Sequence, residues 1–64
     1  MIDNFKTRLL EEQASLRNRG DKLAEFLTTP YFHNLSEEDQ EDLDEQLKHM
    51  IKYLKVLNRR VSRL

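Results

Sequence analysis

From residue 43 to the end of the sequence, Leu43, Leu47, Met50, Leu54, Leu57, Val61 and Leu64 recur at spacings of 4, 3, 4, 3, 4 and 3. This heptad spacing keeps one apolar stripe of a helix turned toward another helix along its whole length, so the chain is read as packed helices. The charges over the same region are sorted. Residues 36–45 hold seven acids and no base, and residues 46–64 hold six bases and no acid. Acids at the start of a helix and bases at its end complement the helix dipole. Ser36 is suited to cap this helix, with Asp39 standing where a capping box has Glu or Gln. The second helix is therefore placed over residues 36–63.

A first helix is read over residues 3–28, with Asp3 or Asn4 at its start. Two stripes compete for its inner face. One runs through Ile2, Phe5, Leu9, Leu16, Leu23 and Phe26 and brings Glu12 and Arg19 to core-type positions. The other runs through Leu9, Gln13, Leu16, Gly20, Leu23 and Leu27. On either stripe the middle of the first helix is polar where its partner is apolar. Either charged side chains lie along the edge of a wide interface, or the helix leaves a polar notch. Thr28-Thr29-Pro30 ends it, because the residue before a proline is pushed out of the helical region. Residues 29–35 form the connector, and Tyr31 and Phe32 are expected to fold over that end of the core. So short a connector makes the helices antiparallel neighbours.

The 64 residues are taken as a single helical-hairpin domain, small for a chain that must stand on its own core. There is no cysteine to staple it. Ile51, Tyr53 and Val56 lie beside the main seam of the second helix, and Leu10 and Ala24 beside that of the first. These faces are wider than one partner can cover. The expected architecture is all-α: an antiparallel two-helix hairpin that assembles into a symmetric homo-oligomeric helical bundle.

No catalytic constellation stands out. There is no glycine-rich phosphate loop and no Ser/His/Asp arrangement. His33 and His49 lack metal-ligand spacing, and the carboxylates gather at a solvated helix start. An enzyme, a metal site and a cofactor are not expected. No apolar run approaches a membrane span or the core of a signal peptide, so a cytoplasmic protein is expected.

Anion binding has more support. In an antiparallel hairpin Arg59 and Arg60 lie beside the start of the first helix, which carries Phe5, Lys6 and Arg8. Arg17 and Arg19 add charge at mid-helix. Guanidinium groups bind phosphate bidentately and aromatic rings stack on bases, so this set suits a nucleotide. A two-fold assembly would present each arginine twice, matching a compact ligand with two phosphates. The same charges also read as ordinary surface residues that pair with the acids. With a net charge of −1, steering toward nucleic-acid polymers is not expected.

Several runs carry a resemblance: Arg8-Leu9 with Glu12, Lys22-Leu23-x-x-Phe26-Leu27, Phe32-x-x-Leu35, and Leu43-x-x-Gln46-x-x-x-Met50-x-x-Tyr53-x-x-x-Leu57-x-x-Arg60. Together they resemble the small phage proteins that share the helical hairpin of anti-CBASS and anti-Thoeris sponges. The resemblance spans nearly the whole chain, and Gln46-x-x-x-Met50-x-x-Tyr53 is its most distinctive part. It implies a non-enzymatic phage protein in the host cytoplasm, oligomeric and hexameric as in well-known members. Such a protein would sequester cyclic oligonucleotide signals of bacterial immunity, binding cyclic dinucleotides and, in some members, cyclic trinucleotides at separate sites. In anti-CBASS members an N-terminal aromatic stacks on bases and a first-helix lysine meets phosphate. Phe5 is the nearest aromatic here, and Arg17 falls where that lysine would be. The ligand-binding residues expected on these combined grounds are Phe5, Arg8, Arg17, Tyr53, Arg59 and Arg60, with Tyr53 half in the core. The alternative is a small coiled-coil adaptor that docks a partner helix on its exposed seam.

Overall fold

The computed structural model describes residues 4–64, and three helices follow one another there: α1 (Phe5–Phe26), α2 (Pro30–His33) and α3 (Glu37–Ser62). Among the described residues there is no strand. Each helix begins where a side chain takes up a backbone donor that the first turn leaves without a partner. Asn4 Oδ1 accepts from the Thr7 N–H at 3.0 Å, and Ser36 Oγ accepts from the Asp39 N–H at 3.1 Å. Asp3, the other candidate for the first cap, and Ile2 of the first stripe lie outside the described residues. Replacing Ser36 by Ala is expected to cost about 1 kcal/mol. A thermal melt should then drop by roughly 4–8 °C, and an unchanged melt would show that the cap contributes nothing.

The break after α1 is also written in local chemistry. Thr29 is extended (φ −93°, ψ 157°), as the following proline requires. Thr28 and Thr29 hydroxyls donate to the carbonyls of Glu25 and Phe26, both at 2.7 Å. Thr29 Oγ1 also accepts from the Phe32 N–H at 3.4 Å, so it caps a new helical turn with Pro30 in its first position. The connector therefore contains a short helix. This turn corrects one expectation: Phe32 packs inward, edge-on to Phe26 at 6.3 Å, but Tyr31 points to solvent and is 74% exposed. Successive residues of a helical turn point about 100° apart, so the two neighbouring rings do not both face the core. Gln40 closes the junction from α3, its Nε2 donating to the carbonyls of Leu35 at 2.9 Å and His33 at 3.2 Å.

α1 and α3 pack against each other and run antiparallel. Leu9, Leu16 and Leu57 are the buried centre, with Met50, Leu54 and Val61 packed against them. Leu43 and Leu47 are half-buried, and Leu64 at the end of the seam is exposed. Of the two stripes on α1, the one through Leu9, Gln13, Leu16, Gly20, Leu23 and Leu27 faces α3. Its members are all buried or half-buried, whereas Arg19 and Phe5 are exposed. Glu12 is half-buried at the edge. Gln13 Nε2 donates to Asn58 Oδ1 across the hairpin at 2.7 Å, which places a polar tie next to the buried leucines.

The result is one helical layer, 48 × 21 × 15 Å, with both broad faces open. Leu10, Ile51, Tyr53 and Val56, expected to lie off the seam, are all at least 40% exposed. Among the described residues, no helix is long and apolar enough to cross a membrane.

Candidate ligand-binding site

The two broad faces differ in chemistry. On one, Arg19 and Lys22 of α1 and Gln46, Met50 and Tyr53 of α3 line an open hollow of about 430 Å³, with Leu16 at its floor. Arg19 and Lys22 are three residues apart and so are neighbours on one side of α1. Gln46 and Tyr53 are seven apart, which returns them to within about 20° of each other on α3. The antiparallel packing sets these two pairs opposite one another. Two flexible cations, an amide and a phenol ring, 44% exposed, thus surround one concavity. Guanidinium and ammonium groups bind phosphate, the amide donates or accepts, and the ring offers a stacking face.

The other face carries a narrower groove of about 150 Å³ between the helices, walled mainly by apolar side chains, with Arg17 and Asp21 on its α1 border. Arg17 is two residues from Arg19 and therefore turned by about 160° from it around α1. The six residues expected at a site are accordingly not all brought together. Tyr53 lines the basic hollow. Arg60 lies seven residues beyond Tyr53, within about 20° of its direction, and Arg8 lies eleven before Arg19, again within about 20°. Both extend the same face toward the chain termini. Arg8 is also engaged in an interaction of its own within the protein. Phe5, 57% exposed, is on this side as well but about 21 Å along α1 from Arg19. Arg59 is turned about 120° away from Tyr53, and Arg17 is on the opposite face.

Arg19 and Lys22 were not among the residues singled out for the site. The signal for them was present, since Lys22 and the Gln46, Met50, Tyr53 run belong to one residue pattern. Reading charge along the chain favoured the arginine-rich end, whereas the hollow is built across two helices. Elsewhere on α3 part of the charge is spent within the helix. Lys48 pairs with Asp44 at 3.6 Å, and His49 approaches Glu45 at 3.8 Å. Such exposed pairs contribute only a few tenths of a kcal/mol. Among the described residues, no group of three or more His, Asp or Glu is placed to hold a metal ion.

A single helical layer with an open basic and aromatic hollow defines a small all-α binding scaffold. The chain belongs to the Sequestin family: the sequence model of that family matches residues 3–63, nearly its full length. The family name fits a protein that sequesters a ligand and does not convert it. Neither a curated protein nor a solved structure gives a match.

Proposed function

We propose that this hairpin is a phage anti-defence sponge. It assembles into a symmetric homo-oligomer and binds cyclic oligonucleotide second messengers of bacterial immune systems such as CBASS, holding them away from their effectors in the cytoplasm of the infected host. It has no enzymatic activity. The observation that carries this reading is the hollow in which Tyr53 faces Arg19 and Lys22, because it joins a stacking surface to two phosphate-binding cations. Membership of the Sequestin family supports sequestration as the mode of action.

In this reading a base lies against Tyr53, and Arg19 and Lys22 hold the phosphate beside it. Arg8 and Arg60, further along the same face, meet the second phosphate of the ring or of a neighbouring ligand. Phe5 and Arg59 belong to the end of the hairpin beyond them, where a separate ligand contact forms. Burying two phosphates among guanidinium groups suits a compact cyclic ligand, because its phosphates are held at a fixed separation and less conformational entropy is lost on binding.

A thermal-shift panel of cyclic di- and trinucleotides, with linear dinucleotides and mononucleotides beside them, tests the reading. A cyclic ligand present at 100 times its dissociation constant should stabilise the fold by about 2.7 kcal/mol. On a domain of this size that is a shift of more than 10 °C. The recovered ligand should be chemically unchanged by chromatography. The proposal fails if no cyclic nucleotide shifts the melt, or if the ligand is cleaved.

A further inference from the structure

The groove face asks for an occupant. We infer that it receives the same face of a second copy of this chain, the two copies related by a two-fold axis near Gly20, with Arg17 of each opposite Asp21 of the other. The inference deepens the assembly part of the proposed function and is independent of its ligand.

Three observations converge on a second copy. The first is area. The chain exposes 5228 Å² for a mass of 7.8 kDa, where a compact monomer of that mass exposes about 4,400 Å². The surplus, about 800 Å², is close to what each partner contributes to an interface of standard size.

The second is charge. Arg17 and Asp21 border the groove, and among the described residues of the protomer neither has an ion-pair partner. They are one helical turn apart on one side of α1. Around a two-fold axis midway between them, an antiparallel copy sets each cation against an anion twice. A patch that must be complementary to itself needs opposite charges placed on either side of the axis, and this face has them. The basic hollow on the other face, with Arg19 and Lys22, would set cation against cation.

The third is shape. Gly20 lies between the two charged residues, in mid-helix, where glycine costs about 1 kcal/mol relative to alanine. Nothing inside the protein requires it. A Cβ built there meets nothing within 4 Å, and its φ is not positive. Open space over Gly20, with Ala24 one turn on and the apolar Ile51 and Leu54 across the groove, lets a second helix backbone approach closely. Ile51 is 47% exposed in the protomer, and this contact would cover it. Two hairpins joined in this way make a four-helix bundle with the leucines at its centre. The basic hollows then remain on the outside, one per copy.

The test uses the full chain carrying Arg17→Asp or Asp21→Arg. Native mass is measured by light scattering over a range of concentrations, with circular dichroism as a check on helicity. Each substitution alone sets like charges across the axis, so each variant is expected to lose mass relative to the wild type while staying helical. An equimolar mixture of the two variants is expected to regain the lost mass, because only a mixed pair sets two acids against two bases. That recovery separates the contact between copies from any pairing of the two residues within one helix. Gly20→Leu, which puts a side chain where the second backbone would lie, is expected to lower the mass without reducing helicity. If the wild type assembles and all three variants keep its mass, or the mixture fails to recover it, this face is not the interface, although assembly stands. A wild type that is monomeric at every concentration overturns both the inference and the assembly half of the proposed function. The thermal-shift panel reads the ligand half separately.

Discussion

Replacing Leu57 by Ala is expected to melt the hairpin at a temperature where the wild type is fully helical. Leu57 has no exposed surface and sits where α3 meets Leu9 and Leu16 of α1. A buried Leu→Ala change removes transfer free energy and leaves a cavity, costing about 2–5 kcal/mol. A core in a chain of this length supplies no more than about 3–5 kcal/mol of net stability. The loss is thus as large as the whole. Circular dichroism against temperature, at a low fixed protein concentration, reads the effect. Leu64→Ala provides the contrast, since Leu64 belongs to the same heptad run but is 45% exposed, and its change should stay within about 0.5 kcal/mol. Should Leu57→Ala melt within a few degrees of the wild type, the centre of the core has been misplaced.

The second large effect concerns the hollow. Tyr53→Ala and Arg19→Ala are each expected to weaken binding of the cyclic nucleotide that gives the largest thermal shift, without loss of helicity. Removing a charge-assisted hydrogen bond costs about 1.5–3 kcal/mol, roughly 10- to 150-fold in affinity. Removing a ring from a stacked base costs about 1–3 kcal/mol. Because both side chains would touch one ligand, the double variant should lose less than the sum of the single losses. Titration calorimetry measures all three, with Lys48→Ala, whose cation is paired to Asp44 outside the hollow, as the control. If affinity falls for Phe5→Ala and Arg59→Ala but not for Tyr53→Ala or Arg19→Ala, the ligand is held at the terminal end of the hairpin and the hollow is not its site.

Much of the fold was written plainly in the residues. The 4-3 spacing from Leu43 fixed a helix and its inner face, Ser36 marked its start, and Pro30 marked the break. These signals act within one turn or along one stripe, so they do not depend on the partner. The middle of α1 was harder because its two stripes share Leu9, Leu16 and Leu23 and differ there in whether Glu12 and Arg19 or Gln13 and Gly20 face inward. Packing against α3 decides between them: an inward Arg19 would lose the hydration of its guanidinium against the leucines, while Gly20 at the inner edge of the stripe leaves open space beside it. The short helix Pro30–His33 was missed because four residues give no periodicity, only Thr29 in front of a proline. The hollow was half legible. Gln46, Met50 and Tyr53 form a visible run, but which face of α1 meets that run depends on the register between the helices. No one-dimensional reading of charge contains that register, so the arginines at the chain's end drew more weight than Arg19 and Lys22.

Leucine seams are self-similar. Sliding α3 along α1 by one turn, about 5.4 Å, would still bring leucine against leucine, and the apolar contacts alone would resist the slip only weakly. The hydrogen bond from Gln13 to Asn58 is not self-similar, because it has one partner at one height. Exposed as it is, it works as a light detent that favours one alignment of the two helices over its neighbours. What that detent protects lies on the far face. A one-turn slip would carry Tyr53 past Arg19 and Lys22, so a polar pair that touches no ligand sets the spacing between the ring and the cations.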